Sequence, residues 1–507
     1  MPGITPPVPL GESDNLARGI GLSFAGAATS ALMGFALTFV LTRSLGDSGA
    51  GIALQAIAVF MIALSVAKLG MDSVAIWIFP RLILRDVGTI RSTVILMGLA
   101  TLVGGTVSGL AVVFGSSLFA SSGDEDADAV AAAVSAVGWF IPAAALALVA
   151  LAITRGFGGI RAFVTIGSVA MPSIRVLVAI IAAAAGGSAI ALSVAWASVF
   201  PAAFVAASIV VVVQIRRLEA RSGRAAPPRR DRAVPRTIGR YAVPRTISAA
   251  LEQSMLWSDV IIVGLIAGSA SAGVYGGAVR LVAAGLIVDT AIRAVVSTRF
   301  SALLFEHKTE QVQALYRTAA TWLVLFSSPI YVVLAIFAPV VLGWFGPDFE
   351  RGSWALVILC AGATVTFMAG NVHSMLLMSG RSGLAAMNKA IALTANVTGN
   401  LVLIPAWGIQ GAAVSWSVSM LIDAALAAIE VRRGVGIRTD FRMVAYALIV
   451  PVVAFGIPAM AFKVILGANE FALLLALVVG GAFFIAWCIL DRDRLHLHEL
   501  IARFRRR

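Results

Sequence analysis

Several charged side chains of this sequence fall inside long apolar segments, where their chemistry is most constrained. A charge at bilayer depth costs roughly 2.5–3.5 kcal/mol, so such residues line a water-filled cavity or pair with one another. Arginines suit a phosphate, because the planar guanidinium makes bidentate, charge-assisted contacts. Carboxylates suit a coupling cation or proton. The residues concerned are Arg43, Arg175, Arg280, Arg293, Glu252, Asp259, Asp289, His373 and Asp423.

Two interpretations of these charges are open. In the first, an amphiphilic cavity between two halves of the chain has a cationic floor. Arg280 and Arg293 are 13 residues apart, which is about 20 Å along a helix, so they would hold an anion at successive depths. The floor would consist of Arg175, Arg280 and Arg293, with Arg43 closing the first helix on the outer side.

In the second interpretation, acidic side chains neutralise these arginines in pairs between helices. The acids available for such pairs, or for coupling to an ion, are Glu252, Asp259 and Asp289. Asp423 and His373 are open to the same two roles, a coupling site or satisfaction by local neighbours.

The elements that carry these charges are transmembrane helices. The chain has 507 residues, of which 60% are hydrophobic and only 12% charged, whereas a soluble domain is about one quarter charged. Apolar runs of bilayer-spanning length recur throughout and do not alternate as strands do. An all-α polytopic membrane protein of about 14 helices is predicted. They cover 19–43, 49–70, 92–119, 128–154, 162–185, 189–215, 238–267, 273–296, 312–344, 353–378, 384–404, 408–431, 443–466 and 471–490.

Loop charges predict the orientation of these helices. The net charge is +13, and its basic residues collect in every second loop, as cytoplasmic loops do. The opposite loops are poor in arginine and also hold acids, namely Asp47, Asp124, Glu125, Asp126, Asp128, Asp348, Glu350 and Glu470. This placement argues against nucleic acid as a partner and predicts a multi-pass protein of the plasma (inner) membrane with both termini in the cytoplasm. The N-terminal segment has no positive stretch of the kind that opens a signal peptide, so the first helix is expected to be retained.

The same pattern predicts the domain organisation. A basic, Pro-containing stretch at 216–240 reads as a cytoplasmic linker between an N-terminal transmembrane lobe (1–215) and a C-terminal lobe (241–442). Two further helices (443–490) and a basic cytoplasmic tail (491–507) follow. The tail either lies on the inner leaflet as an amphipathic helix or is solvated. Residues 45–51 and 267–273 place glycines similarly in short outward turns, which suggests a parallel repeat of the two lobes with pseudo-two-fold symmetry.

No signature of catalysis or of cofactor binding is present. The sequence lacks HExxH, a phosphate-binding GxxxxGK[ST] and GxSxG, so no catalytic residue, cofactor or metal site is predicted. The two cysteines, Cys360 and Cys488, lie in separate apolar runs and are not expected to form a disulfide. His496 and His498 form an HxH pair in a charged tail, which is a weak metal motif.

Four ordered segments carry a resemblance to a known family. They include a turn between the first two helices and a "D…G…G-x-Y-x-x-A-x-R" pattern after the midpoint. The residues that match are Leu41–Gly46 with Gly49, Gly51, Leu69 and Gly70; Trp257, Asp259, Gly264, Gly273, Tyr275, Ala278, Arg280 and Leu281; Leu377–Arg381; and Asn396, Asn400, Leu403, Ile404, Pro405, Gly408 and Gly411–Ala413. These segments resemble the polysaccharide-biosynthesis (oligosaccharide flippase) family of the multidrug/oligosaccharidyl-lipid/polysaccharide (MOP) exporter superfamily.

This resemblance implies two six-helix lobes that work by alternating access. It implies transport of a polyprenyl-diphosphate-linked oligosaccharide from the inner to the outer leaflet, for cell-surface polysaccharide biosynthesis. The two extra C-terminal helices resemble those of lipid II flippases and would form a groove for the lipid tail. Those flippases have several arginines in the first lobe, where this chain offers mainly Arg43 and Arg175, which disfavours lipid II as the substrate. The motif glycines also favour close helix packing, and Pro405 is expected to end its helix.

Two alternatives compete with the flippase interpretation. One is a cation-coupled multidrug exporter of the same superfamily, whose sites are typically acidic and aromatic, as Glu252 and Asp259 would allow. The other is a non-transporting scaffold for glycan-assembly enzymes, suggested by the basic loop and tail. The expected partners are the lipid-linked oligosaccharide, membrane lipids and glycan polymerases or glycosyltransferases.

Overall fold

The structure is a computed structural model. It describes residues 10–85, 87–121, 124–222, 233–306 and 308–495. The middle of the predicted linker and the end of the predicted tail, with His496 and His498, lie outside these residues. The described chain contains no β-strand, and the prediction of an all-α fold is confirmed.

The helices of the first part of the chain are as follows: α1 Leu10–Ala67, α2 Met71–Arg85, α3 Ile90–Gly115, α4 Glu125–Gly138, α5 Ile141–Gly156, α6 Ile160–Ala162, α7 Met171–Ala184, α8 Ala189–Ala197 and α9 Val199–Ser222. The remaining helices are α10 Ala233–Ala267, α11 Ser269–Phe305, α12 Thr309–Ile336, α13 Ala338–Gly343, α14 Ser353–Met368, α15 Val372–Met378, α16 Ser382–Trp407, α17 Ile409–Val435, α18 Phe441–Pro451, α19 Ile457–Leu466 and α20 Glu470–Leu490.

Many of these helices, alone or together with the next helix along the chain, are long and apolar enough to cross a bilayer. Within the described residues there are twelve candidate spans by length and composition, and a bent pair, α4 and α5, joined at 48°, raises the number to thirteen. The first candidate, Ala25–Leu84, is 60 residues long, about three times the roughly 20 residues that one helix needs to cross the hydrocarbon core. Gly46, with φ 70° and ψ −167°, interrupts it, and the prediction of about 14 helices divides the run there.

Several predicted single helices are broken. Gly370, with φ 69°, separates α14 from α15, and a π-helical turn at Val452–Gly456 separates α18 from α19. The prediction that Pro405 ends its helix is wrong, because α16 continues to Trp407 and the chain turns at Gly408. A proline in the last turn removes one hydrogen bond of a helix that is already ending, so the cost there is small.

The helices flanking the predicted linker extend into it. α9 ends at Ser222 and α10 begins at Ala233, whereas the linker was predicted over 216–240. Arginine is a good helix former, so basic character alone does not interrupt these helices.

The chain divides into two compact units. The first contains α1 up to Leu37, Val59–Leu118 and Ala131–Ala250. Its aromatic centre is formed by Phe60, Trp196 and Phe200, with ring centroids 5.1–5.7 Å apart. Trp77 stacks on Tyr241 at 4.9 Å and so joins α2 to α10 within this unit.

The second unit contains Thr38–Ala58, Phe119–Val130 and the chain from Leu251 onward. Its core lies where α11, α12, α15 and α17 meet and includes Phe300, Tyr316 and Met375. The segment Thr38–Ala58, predicted as part of the N-terminal lobe, packs here with later helices. The predicted lobe boundaries and lobe symmetry remain predictions.

Candidate functional site

The two predicted repeat turns contact each other within the second unit. A Cβ at Gly51 would overlap the Ser269 carbonyl oxygen, and a Cβ at Gly273 would overlap the Asp47 carbonyl oxygen. The contacts are reciprocal, so each turn needs glycine for the backbone of the other to approach. Arg351 pairs with Asp47 at 2.6 Å beside this crossing.

Arg43 lies on α1, shortly before Gly51 in the sequence. Its Nε donates to the Trp344 carbonyl oxygen at 2.7 Å, and its guanidinium lies 5.7 Å from the Phe39 ring centroid. Arg43 therefore holds the C-terminal end of α13. The structure gives it a local partner in addition to the predicted role in substrate binding.

Arg175 lies on α7 in the first unit, between two aromatic rings. Its guanidinium carbon is 4.6 Å from the Trp196 ring centroid and 4.4 Å from that of Phe200. Its Nε is buried and has no hydrogen-bond partner among the described residues. Cation–π contacts stabilise a desolvated guanidinium but leave its N–H donors free to bind an anion.

Arg280 is held in the same way in the second unit. It lies on α11, with its guanidinium carbon 4.7 Å from the Trp257 ring centroid on α10. Trp257 and Arg280 both belong to the motif after the midpoint of the chain that carries the family resemblance. Among the described residues, neither Arg175 nor Arg280 has a carboxylate within ion-pair distance.

Arg293 differs from these two arginines because it pairs with Asp289 one turn earlier on α11. The alternative interpretation placed such pairs between helices, and for Asp289 this is wrong, since donor and acceptor share one helix. Spacing of four residues on a helix puts the two side chains side by side. Glu252 is exposed on α10.

Asp259 is buried on α10 and is held by neutral groups. Tyr275 donates its hydroxyl to Oδ2 at 3.2 Å, and Asn400 donates Nδ2 to Oδ1 at 2.6 Å. Asn400 also contacts Asn396 at 3.3 Å. Two motifs that are far apart in the sequence therefore meet at one carboxylate. The inter-helix arginine pair proposed for Asp259 is not what the structure shows.

Asp423 lies on α17 and accepts from a lysine that the sequence reasoning left out. Oδ2 of Asp423 is bonded to Lys389 of α16 and is 3.1 Å from Nε2 of His373 on α15. Lys389 interrupts the apolar run 384–404, and this interruption was the signal that could have identified it. The residue before Lys389 makes a second contact between the same two helices, because Asn388 of α16 donates to Glu430 of α17 at 2.8 Å.

No group of three His, Cys, Asp or Glu side chains that could hold a metal ion occurs among the residues that the structure describes. Cys360 and Cys488 are free thiols. The arrangement therefore offers charge, hydrogen bonding and aromatic surface rather than a catalytic constellation.

An apolar groove lies beside the two C-terminal helices. It has a volume of about 730 Å³ and is lined by α12, α19 and the π-helical turn that precedes α19. Lys463 closes one end by donating Nζ to the Ile336 carbonyl oxygen at 2.7 Å. The groove is open and its lining is hydrocarbon, which suits an alkyl or isoprenoid chain.

Comparison with known proteins gives one relative in sequence and several in structure. No family model matches the chain. The probable low-salt glycan biosynthesis flippase Agl15 of Haloferax volcanii is 23% identical over 249 residues, which are 49% of this chain and 52% of that protein. The match thus spans about half the length of the relative.

The structural matches extend over nearly the whole chain. The lipid II flippase MurJ in an inward closed conformation has a TM-score of 0.70 at 13% identity, covering 93% of this chain and 99% of MurJ. An inward-facing multidrug resistance MATE family transporter of the MOP superfamily has a TM-score of 0.64 at 15% identity, covering 80% and 94%. These proteins are named as flippases and transporters, which agrees with the prediction that the chain is not an enzyme. These similarities confirm the resemblance that the motifs predicted, and the chain is a multi-pass membrane protein with the fold of the MOP superfamily.

Proposed function

We propose that this protein is a flippase for a polyprenyl-diphosphate-linked oligosaccharide. It moves this lipid from the inner to the outer leaflet of the plasma membrane by alternating access and serves cell-surface polysaccharide biosynthesis. Both termini lie in the cytoplasm. The observation that carries the proposal is the pair of arginines, Arg175 and Arg280, which lie on aromatic rings without a carboxylate partner among the described residues.

A diphosphate is the ligand that this chemistry favours. An arginine at bilayer depth with no acid beside it keeps its positive charge available, and bidentate contacts to phosphate oxygens would complete its hydrogen bonding. Arg293 and Arg43 would meet the headgroup at other depths. The apolar groove along α12 and α19 would take the isoprenoid tail.

The relatives support this substrate class. Agl15 is named as a glycan biosynthesis flippase and MurJ as a lipid II flippase. The chain departs from lipid II flippases in having few arginines in its N-terminal half, so an oligosaccharide other than lipid II is proposed. Glycan polymerases and glycosyltransferases are the proposed neighbours in the membrane.

A cation-coupled multidrug exporter is the second candidate, because a MATE transporter shares the fold and Asp259 is a buried acid. Cationic drugs require acidic sites with negative charge to spare. The unneutralised arginines Arg175 and Arg280 work against such a substrate. The scaffold alternative predicts no transport by the purified protein.

The experiment that tests the proposal is the glycan and lipid-linked intermediate profile of a deletion strain. Loss of one surface glycan, with its polyprenyl-linked precursor accumulating on the inner leaflet, is expected. Complementation with the R280A/R293A double variant should fail although the protein is present in the membrane. An unchanged glycan profile together with increased drug sensitivity would favour the exporter instead.

A further inference from the structure

A basic and aromatic patch lies on the first unit and is distinct from the arginines assigned to the substrate headgroup. It is formed by α2 and the beginning of α10, and all of its residues belong to this one unit. Its members, called here the α2–α10 patch, are Trp77, Arg81, Arg236, Arg240 and Tyr241. None of these residues has a role in the proposed transport, so the patch needs an explanation of its own.

Two side-chain contacts fix how α2 packs on α10. Arg245 donates Nε to the Ser73 hydroxyl at 2.9 Å, and the Trp77 and Tyr241 rings stack with their centroids 4.9 Å apart. Four residues forward on α2 thus correspond to four residues back on α10, so the two helices are antiparallel here. The next turn of α2, which carries Arg81, therefore lies opposite the beginning of α10.

Arg81 is held over the indole ring of Trp77. Its guanidinium carbon lies 4.4 Å from the ring centroid, and its Nη1 donates to the Trp77 carbonyl oxygen one turn earlier. The cation–π contact and this hydrogen bond together fix the position of the planar group. Its Nε and Nη2 have no hydrogen-bond partner among the described residues. This N–H edge remains available to a phosphate, which arginine binds bidentately.

Carboxylates do not neutralise the charge of the patch. Arg81, Arg236 and Arg240 are exposed, and none of them forms an ion pair within the described part of the chain. The acids of α2 and α9 in this unit, Asp72 and Glu219, already have basic partners. Three exposed positive charges thus remain for an anionic ligand.

Exposed apolar side chains continue the patch along both helices. Val243 and Ile247 on α10 are 63% and 57% exposed, and Ile76 on α2 is 41% exposed. On each helix these residues lie between the arginines and the apolar span. A phospholipid has the same order of chemistry, with a charged headgroup at the interface and acyl chains beyond it. The patch therefore matches a lipid better than it matches a soluble anion.

The two halves of the patch belong to loops predicted on the same side of the membrane. Arg81 precedes the loop between α2 and α3, and Arg240 follows the basic stretch between α9 and α10, both of which are predicted to be cytoplasmic. The contact between these segments is what a shared side of the membrane requires. Anionic lipids give the cytoplasmic leaflet a negative surface, and basic pockets between helices on that side bind their headgroups.

Anchoring of the helices at the membrane interface accounts for only part of the patch. Trp and Tyr are enriched at that level of a bilayer, which would explain Trp77 and Tyr241. It does not explain a guanidinium fixed over the indole ring with a free N–H edge, close in the fold to further exposed arginines without acidic partners.

We propose that the α2–α10 patch binds an anionic phospholipid of the inner leaflet. Arg81 holds the phosphate through its Nε and Nη2 edge, and Arg236 and Arg240 add positive charge around the headgroup. The acyl chains lie along Val243 and Ile247. This lipid is a resident ligand rather than the transported substrate, so the inference goes beyond the proposed function and does not depend on it.

The test is native mass spectrometry of the purified, delipidated full chain in detergent, titrated with dioleoyl phosphatidylglycerol. We expect R81A/R240A to weaken the first binding event at least about tenfold, because two charge-assisted contacts to the headgroup are lost. Phosphatidylcholine has the same acyl chains and phosphate but no net charge. It should bind weakly, and equally to the wild type and to the variant.

The matched control is R433A, which removes an exposed arginine in the last turn of α17, outside the patch, and should leave the affinity unchanged. Thermal unfolding without lipid checks that R81A/R240A is folded, as expected for exposed side chains. Equal affinity of the wild type and R81A/R240A for phosphatidylglycerol would overturn the proposal. Binding of phosphatidylglycerol no tighter than that of phosphatidylcholine would do the same.

Two competitors separate the possible sources of the phosphate. Glycerophosphate carries the charge without acyl chains and should not displace the lipid. Displacement at equal concentration would assign the patch to a soluble phosphate instead. A polyprenyl diphosphate that bound more tightly than phosphatidylglycerol, and lost this affinity in R81A/R240A, would assign the patch to the transported lipid. Either result would refute a phospholipid site.

Photo-crosslinking supplies a second measurement that needs no variant. In nanodiscs of the wild-type chain, phosphatidylglycerol with a photoreactive acyl chain should label residues 71–85 and 233–250 more strongly than the same probe on phosphatidylcholine. Identical labelling patterns for the two lipids would contradict the proposal. Neither measurement involves flipping, so loss of the proposed transport function would leave this inference standing, and the reverse also holds.

Discussion

At the scale of single residues, the stacking of Arg280 on Trp257 is the contact with the clearest consequence. The guanidinium carbon lies 4.7 Å from the ring centroid, and a lysine cannot reproduce this planar contact or bind phosphate bidentately. We expect R280A to reduce flipping of a polyprenyl-diphosphate probe at least tenfold and R280K to retain part of the activity. The measurement is the flipping rate in proteoliposomes at equal protein content.

The control for this prediction is R433A. Arg433 is an exposed arginine in the last turn of α17, so its removal changes the net charge equally without touching the aromatic contact. Equal rates for R280A and R433A would show that Arg280 acts only through overall charge or not at all.

Asp259 gives a prediction about stability. Its two oxygens accept from Tyr275 and Asn400, and truncation to alanine would leave both buried donors unsatisfied. Each orphaned group costs about 1–3 kcal/mol, so D259A should lower the melting temperature in detergent by several degrees. D259N should lower it less, because its amide oxygen accepts from Asn400 and its amide nitrogen donates to the Tyr275 oxygen. Similar melting temperatures for the two variants would contradict this account of the network.

The charges at bilayer depth were predictable from the sequence, but most of their partners were not. Arg280 and Trp257 occur in one motif, and their proximity was within reach of prediction. Asp259 and Asn400 are 141 residues apart, and Lys389 and Asp423 are 34 apart. Only the packing of different helices brings such pairs together, and neither composition nor periodicity of a single sequence encodes it.

At the scale of secondary-structure elements, the crossing of the two repeat turns depends on glycine. A Cβ at Gly51 would overlap the backbone of Ser269, and overpacking at a close contact costs about 1–3 kcal/mol. We expect G51A to lower the melting temperature and to weaken the contact between α1 and α11. The measurement is thermal unfolding in detergent, together with the rate of amide hydrogen exchange in both turns.

G98A is the matched substitution, because a Cβ at Gly98 on α3 meets no atom within 4 Å. Alanine is also the better helix former, by about 1 kcal/mol. G98A should therefore leave the melting temperature unchanged or raise it slightly. A fall equal to that of G51A would show that any added methyl group is harmful and that the crossing is not special.

The start of α18 offers a test with a pH dependence. Partial burial raises the pKa of the Asp440 carboxyl, but hydrogen bonds from the Met443 amide and the Arg317 guanidinium outweigh it and hold that pKa below its usual value. A lowered pKa means that this carboxylate stabilises the fold above the ordinary aspartate pKa of about 3.9. The stabilisation is lost as the pH falls through the lower value of the folded protein.

D440A removes both the cap and the ion pair, whereas asparagine retains the cap on the Met443 amide. We expect D440A to cost about 1 kcal/mol at pH 7 and D440N to cost less, since the half-exposed pair with Arg317 contributes little. The difference between wild type and D440A should shrink as the pH is lowered below 4. A constant difference across that range would contradict the lowered pKa.

The helices themselves were largely predictable, whereas only some of their interruptions were. Apolar runs of bilayer length predicted the helical spans, including the last two, which the structure has as α18–α19 and α20. The break at Gly46 falls in the polar turn that the sequence places between the helices 19–43 and 49–70, whereas Gly370 lies inside the run 353–378 that is predicted as one helix. At Gly370 a Cβ would press against the Ala320 side chain, and a glycine in a membrane helix signals close packing as often as a break.

At the scale of the whole molecule, the charge distribution predicts the topology. On this prediction, the basic residues in every second loop would put both termini and the loop between α17 and α18 in the cytoplasm. In a background without Cys360 and Cys488, S121C in the loop before α4 should react with an impermeant maleimide in intact cells. R438C, before α18, should react only after permeabilisation. The reverse pattern would invert the orientation and the proposed direction of transport.

The central claim is that the protein flips a lipid-linked diphosphate sugar, and reconstitution tests it most directly. The measurement uses proteoliposomes of the purified full chain with a synthetic polyprenyl-diphosphate disaccharide whose sugar carries a dithionite-sensitive fluorophore. The account predicts that dithionite bleaches nearly all of the probe with active protein, about half with R280A/R293A or without protein, and half of an ordinary fluorescent phospholipid throughout. Bleaching that stops at one half with the wild-type protein, across pH and sodium gradients, would contradict it.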